Sequence, residues 1–400
     1  MLANSPPLPL VIDYLYEGLN ITAEDEEGKF LALEQPNRIR CIRVSLSPHG
    51  WQKFVKAIDH ELPILEHLVM VMTAREDDAT FVFPETIQAS HLQHLGLVRV
   101  GVAPPIGPRV LTTAVGLVTL RLFMDHSSTF INPNSLLQWI SPLSQLETLE
   151  IITFPNRAVE AQLSHTPTTT HSTLPNLCLL SFQGRLTYLE VLIRQIVTPR
   201  LERLRVMFFE QPTFSIPCLV RFMNATENER LRFDSAKFEF SGKRVCVQTY
   251  SHENRRCSFG ISVDSWSHAR HISSMAQIVD KLGQVYSTVE HLILDHMKDG
   301  RSSEEVFDLE VDRTEWHKLL RPFSNVKNLR VKHGLLEGFS RFLRLDDGEL
   351  PPELLPELQE LTYTGISNPG DAFTSFIDAR QNAGRPVSFN LVHRTPNPSP

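Results

Sequence analysis

The first question for a chain with 16 histidines and 5 cysteines is whether it could do metal or thiol chemistry. The spacing argues against both. His268 and His271 stand three apart, on one face of an expected helix, but no Cys or carboxylate pair lies at ligand spacing beside them. A zinc site takes three or four ligands, so these histidines read as surface or packing residues. Cys246 and Cys257 stand eleven apart without a second pair. There is no glycine-rich phosphate loop, no G-x-S-x-G elbow and no H-E-x-x-H pair. The expectation is a protein that is not an enzyme, with no metal and no cofactor.

What does recur is a pattern of leucines: one leucine, two variable residues, a second leucine, one variable residue, a third apolar residue. It reads LEHLVM from Leu65, LQHLGL from Leu92, LVTLRL from Leu117, LETLEI from Leu146, LCLLSF from Leu177 and LERLRV from Leu201. It returns as VEHLIL from Val289, VKNLRV from Val326 and LQELTY from Leu358. The first six starts are separated by 27, 25, 29, 31 and 24 residues. Leucine-rich repeats run about 20–29 residues. Along a strand alternate side chains point the same way, so the fourth and sixth residues face the core, and the first packs there from the turn. One such strand cannot bury its apolar face alone, whereas a stack shares one core.

The segments between are helical in period. Trp51, Phe54, Val55, Ile58 and Leu62 precede the Leu65 strand, and Leu186, Leu189, Ile193 and Ile196 precede Leu201. Met275, Ile278, Val279, Leu282 and Tyr286 precede Val289. Asp312 and Glu315 form a capping box ahead of Trp316, Leu319, Leu320 and Phe323, and Asp371 opens a last helix that stops near Gly384. The expected fold is α/β: an irregular leucine-rich-repeat solenoid, with a curved parallel sheet on one face and helices on the other. Trp51, Trp139 and Trp316 fall on apolar helical stripes and are assigned to the core, with Trp266 the fourth tryptophan.

The array is expected at 39–391, opening with the strand Ile39–Leu46 and closing with Val387–Leu391. Residues 1–38 form an N-terminal extension or cap, and 392–400 a disordered tail. The 88 residues from Leu201 to Val289 are degenerate, most of all at 228–275. Strands are expected there near Leu231–Phe233, Ala236–Phe240 and Phe259–Val263. RVCVQTY and GISVDSW alternate at period two, so either an antiparallel hairpin or an irregular insertion fits. AEDEEGK from Ala23 reads as an acidic surface loop, and HTPTTTHSTLPN from His165 as an exposed one.

The third, fifth and seventh positions of each repeat should project from the exposed, usually concave, sheet face. They hold Arg43, His67, His94, Arg121, Glu150, Arg203, Arg205, His291, Asp295, Arg330, Lys332 and Glu360. Six are basic and three acidic, in a chain of net charge −7. One reading is a locally positive face that engages an acidic segment of a partner protein. The other is a solvated face whose charges serve solubility.

The overall negative charge argues against nucleic acid as the partner. No apolar run of about 18 residues is present to span a membrane, and the N-terminus lacks a signal-peptide pattern. Few, odd and dispersed cysteines fit free thiols of a cytoplasmic or nuclear protein, in which the sequons at Asn20 and Asn224 would stay unmodified.

Longer segments resemble one family. ALEQPNRIRCI from Ala32, FPETIQASHLQHL from Phe83, PIGPRVLTTAVGLVTLRL from Pro105 and NSLLQWISPLSQLETLEI from Asn134 are similar to the leucine-rich-repeat portion of F-box-type proteins of mushroom-forming fungi. So are NERLRFDSAKFEFS from Asn228, EVDRTEWHKLLRPFSNVKNLRV from Glu310, LLPELQELTYTG from Leu354 and DAFTSFIDARQNAGRPVS from Asp371. The resemblance implies a protein-binding array that captures the substrate of a cullin–RING ubiquitin ligase, with an F-box docking the Skp adaptor. Residues 1–38 lack the expected helix-opening motif, since Leu8–Pro9 leads into LVIDYLYEG. Two expectations follow: the recognition part of an F-box-type adaptor, or a stand-alone F-box-less scaffold or competitor. The Skp adaptor is a partner only if an F-box is present or supplied in trans.

Overall fold

The structure is a computed structural model. It describes residues 8–15, 30–72, 83, 86–100, 109–124, 131–153, 171–209, 211, 213–225, 233–241, 243–251, 257–264, 268–296, 313–332, 335–343, 354–365, 369 and 373–393. The acidic segment at 23–29, Trp266, Asp312, Asp371 and the tail from 394 lie outside these residues. The chain divides into two compact units, Met1–Glu202 and Arg203–Pro400.

The first unit carries a parallel sheet. Its strands, in spatial order, are β1 (Leu10–Tyr14), β2 (Ile39–Leu46), β3 (His67–Met72), β4 (His94–Val98), β5 (Thr119–Met124), β6 (Thr148–Thr153) and β8 (Leu179–Gly184). β2 has the bounds expected from its alternation. β1 is an additional strand, paired with β2 from Leu10 opposite Ile39 to Tyr14 opposite Val44. Part of the Thr-rich segment is also ordered as structure: β7 (Ser172–Thr173) pairs with β9 (Ile196–Val197) in a small separate sheet.

Between the strands run α1 (Pro48–Ile58), α2 (Arg109–Thr113), α3 (Pro133–Ile140) and α4 (Leu186–Arg194). Their starts follow from local chemistry. Ser47 accepts a hydrogen bond from the Gly50 amide at the head of α1, and Asn132 accepts one from Asn134 at the head of α3. In both cases proline follows the cap, where its missing N–H costs nothing.

The recurring leucines share one local arrangement. Leu65, Leu92, Leu117, Leu146, Leu177 and Leu201, and the fourth and sixth residues of each repeat counted from these starts, are at most 3% exposed. The amide of each start bonds the carbonyl three residues earlier, as Leu65 to Leu62 and Leu146 to Leu143, closing the same turn before each strand. The next residue then bonds across to the preceding strand: Glu66 to Arg40, Gln93 to Glu66, Val118 to Gln93, Glu147 to Val118 and Cys178 to Glu147. This shared bond sets a register without slippage. At the end of β8 a Cβ on Gly184 would crowd the Thr153 hydroxyl at 2.0 Å and its carbonyl at 3.1 Å, so a larger residue there would force Thr153 to move.

The second unit runs β10 (Arg203–Phe209), α5 (Pro217–Asn224), β11 (Ser235–Phe240), β12 (Arg244–Tyr250), β13 (Cys257–Asp264), α6 (His268–Lys281), α7 (Gly283–Tyr286) and β14 (His291–His296). It continues with α8 (Arg313–Leu320), β15 (Asn328–Lys332), α9 (Leu336–Leu343), β16 (Glu360–Gly365), α10 (Thr374–Asn382) and β17 (Ser388–His393). The spatial order is β10-β13-β12-β11-β14-β15-β16-β17. β12 is antiparallel to both β11 and β13, so the degenerate section is a meander inserted into an otherwise parallel sheet. β11 then resumes the parallel ladder with β14. Phe233, expected at the end of a strand, lies just before β11 as core. β17 extends to His393, into the segment expected as tail.

An aromatic cluster fills the second unit's core. Tyr286 lies 5.1 Å from Phe323, Phe238 is 5.5 Å from Phe323, and Trp316 is 5.5 Å from Phe240 and 5.6 Å from Phe339. Helices therefore pack on the face that carries Phe238 and Phe240. Trp51, Trp139 and Trp316 are all buried, as their stripes require. No helix among the described residues is long and apolar enough to cross a membrane.

Candidate functional site

The outward face of each sheet holds the third, fifth and seventh repeat positions, and strand register lines them up in rows. In the first unit one row runs Cys41, His67, His94, Thr119, Thr148. The His67 and His94 rings stack with centroids 4.3 Å apart and planes 7° apart. Burial, then His67 and Arg121 nearby, hold the His94 imidazole below its ordinary value. Burial likewise pushes the Cys41 thiol up.

The next row carries Asp13, Arg43, Val69, Gly96, Arg121 and Glu150. Arg43 pairs with Asp13 at 2.9 Å, and Arg121 with Glu150 at 3.1 Å. At the entry to the strands Arg40 pairs with Glu66 at 2.8 Å. In all three pairs the cation is the more exposed member: 41% against 32%, 61% against 31% and 54% against 27%. Neutralised in sum, this face still presents guanidinium groups outermost.

The third row is apolar: Val71, Val98, Phe123 and Ile152, all half-buried. These seventh positions were not among the expected site residues. Their signal was legible, since each follows its repeat start by six residues.

In the second unit the outward residues converge on a polar network. Asp295 lies between Lys237, at 2.9 Å, and Lys332. Lys237 also bonds Glu239, Gln248 donates to the other Glu239 oxygen at 3.4 Å, and Tyr250 bonds Gln248. Asp295 was expected to be exposed and is instead 9% exposed, sandwiched by the two lysines. Burial pushes its carboxyl up, but hydrogen bonds from Lys332 and Lys237 outweigh this and hold it below the ordinary range. Burial pulls the Lys237 ammonium down, but the hydrogen bonds it donates to Glu239 and Asp295 outweigh this and raise it. Burial first, then Glu239, pushes the Cys246 thiol up to about 12, which removes it as a nucleophile near neutral pH.

The remaining expected residues stand apart from this network. His291 shares a 3.1 Å contact with Asn328. Glu360 accepts from Asn390 at 2.8 Å and Thr362 at 3.0 Å, which hold its carboxyl low. Arg205 and Arg330 are exposed, Arg203 half-buried, and none of the three forms an ion pair with a described residue. Lys237, Glu239 and Asp13, missed in the sequence, are the partners that decide the local charge.

Among the described residues no group of three or more His, Cys, Asp or Glu is placed to hold a metal ion. His268 and His271 stand on α6, and their side chains lie outside the described set. The five cysteines are free thiols, of which Cys218 is buried. Chemically, the outward side of the first unit offers guanidinium groups and an apolar row, and that of the second a lysine–carboxylate network. No family model matches the sequence, and a search of curated proteins finds no match.

Proposed function

We propose that this chain is a leucine-rich-repeat protein-interaction module, the substrate-recognition part of an F-box-type ubiquitin-ligase adaptor. One observation carries the binding role. The repeat starts, fourth and sixth residues are committed to the core, and within each unit this sends the third, fifth and seventh residues to the outward side of its strands. The repeat reading is supported by the recurring turn and cross-strand bond at each start. The ligase link rests on the sequence resemblance. An intracellular setting belongs to the same reading, and no reaction is assigned to the chain.

The partner's contact segment is acidic in this reading. Support comes from the outermost position of Arg40, Arg43 and Arg121 and from exposed Arg205 and Arg330. Paired as they are, these cations supply specificity and encounter rate more than affinity.

Affinity purification of the chain from its own cells, with bound proteins identified by mass spectrometry, tests this. Recovery of the Skp adaptor and a cullin supports the ligase arm. A reproducible partner without ligase components supports the stand-alone scaffold. Charge reversal of Arg121, Arg205 and Arg330 together should abolish partner recovery, and unchanged recovery removes the acidic-segment reading.

A further inference from the structure

The last strand is finished differently from the strands it follows. Leu361 and Tyr363 of β16 point into the core at 0% exposure, and in parallel register they face Phe389 and Leu391 of β17. Those two therefore occupy core-side positions. Yet they are 38% and 36% exposed, and Val392 on the opposite side is 43% exposed. Phe389 leans on Phe373, 5.8 Å away, with its far side open. By contrast, Ile12 of β1, also a terminal strand, is 3% exposed. No described residue pairs with the outer edge of β17.

Natural sheets blunt such an edge with charge, proline or a bulge. β17 reads SFNLVH: it holds no Lys, Arg, Asp, Glu or Pro, and its register with β16 is unbroken. A strand this free of charge is self-complementary. A charged edge would oppose like charges when it met its own copy, at a cost in each facing pair.

We propose that β17 is a self-association edge, pairing antiparallel with β17 of a second copy about a two-fold axis. This does not rest on the binding role proposed above. A two-fold axis normal to the sheet brings an edge against itself in antiparallel sense, and centring it on Asn390 keeps the pleat in phase. Phe389 then faces Leu391 of the second copy on the core side, and Ser388 faces Val392 on the other. The two sheets become continuous and the open apolar positions close over one another. Such an isologous contact uses up both edges, so assembly stops at two.

Sedimentation velocity and light scattering on the full 400-residue chain over a concentration series test the proposal. The expected species has twice the 45.5 kDa chain mass. Asn390→Lys sets two ammonium groups opposite each other across the axis, each beside the Glu360 that Asn390 now bonds, and should weaken the dimer by up to about five-fold. Asn390→Glu should do the same alone, and mixing the two variants should restore dimers. Leu391→Lys is the second disrupting variant, at a position already exposed to solvent. Unchanged melting curves show that each variant folds. A 45.5 kDa species at every concentration, a dimer indifferent to Asn390→Lys and Leu391→Lys, or growth beyond two copies would overturn the proposal.

Discussion

His67 and His94 stack face to face on neighbouring parallel strands, 4.3 Å between centroids, and the charges of Arg121 and Glu66 act on His94 in opposite senses. A proton on His94 is opposed first by burial and then by His67 and Arg121, while Glu66 offsets part of that.

The first prediction concerns pH. The folded state holds His94 below its unfolded value near 6.5, so the unfolded chain takes up that proton first. The associated stability is present above pH about 6.5 and is lost as pH falls through the lower folded value. Thermal melts from pH 8 to 5 should show His94→Gln losing less stability on acidification than the parent. Equal slopes would remove the assignment.

The second concerns Asp295. Replacing it by Asn leaves Lys332 without its carboxylate and Lys237 with Glu239 alone. Urea unfolding at pH 7 should show a loss of about 3 kcal/mol, the low end of the range for stripping one member from a buried pair, because both lysines keep part of their solvent. Because the Asp295 carboxyl is held low, its contribution is present above pH about 4 and lost as pH falls through the depressed value. The variant should therefore also show a shallower acid limb.

The third prediction is conservative in shape. Tyr286 is fully buried among aromatic rings, and its hydroxyl has no hydrogen-bond partner among the described residues. Tyr286→Phe removes a stranded polar atom and keeps the ring. Stability should be unchanged or raised by up to about 1 kcal/mol. Tyr286→Ala, which leaves a cavity, should cost about 3–5 kcal/mol. A large loss in the Phe variant would reveal a partner for the hydroxyl.

The fourth prediction addresses the repeat itself. Leu149 is 0% exposed, between Leu120 and Leu180 on adjacent strands. Leu149→Asp places an unpaired carboxylate there and should destabilise by roughly 4 kcal/mol or more in denaturant unfolding. Thr148→Asp, half-buried on the outward side of the same strand, should cost far less. Similar costs for the two would mean that the inward and outward faces of β6 are misassigned.

The sequence by itself determined which side each repeat residue faces. From Leu65 to Tyr363 the first, fourth and sixth positions are core, because a strand's two-residue alternation is a local property that no distant contact can shift. The same rule placed Arg43, His67, His94 and Arg121 outward, and local helical stripes placed Trp51, Trp139 and Trp316 inward. Only the tertiary structure decided what stands beside each outward residue. Asp13 reaches Arg43 because a strand thirty residues earlier joins the sheet at its edge. Asp295 is buried because the β11–β13 meander delivers Lys237 to one side of it while β15 delivers Lys332 to the other. Neighbours across a sheet are set by long-range register and strand order, and period-two alternation is blind to both.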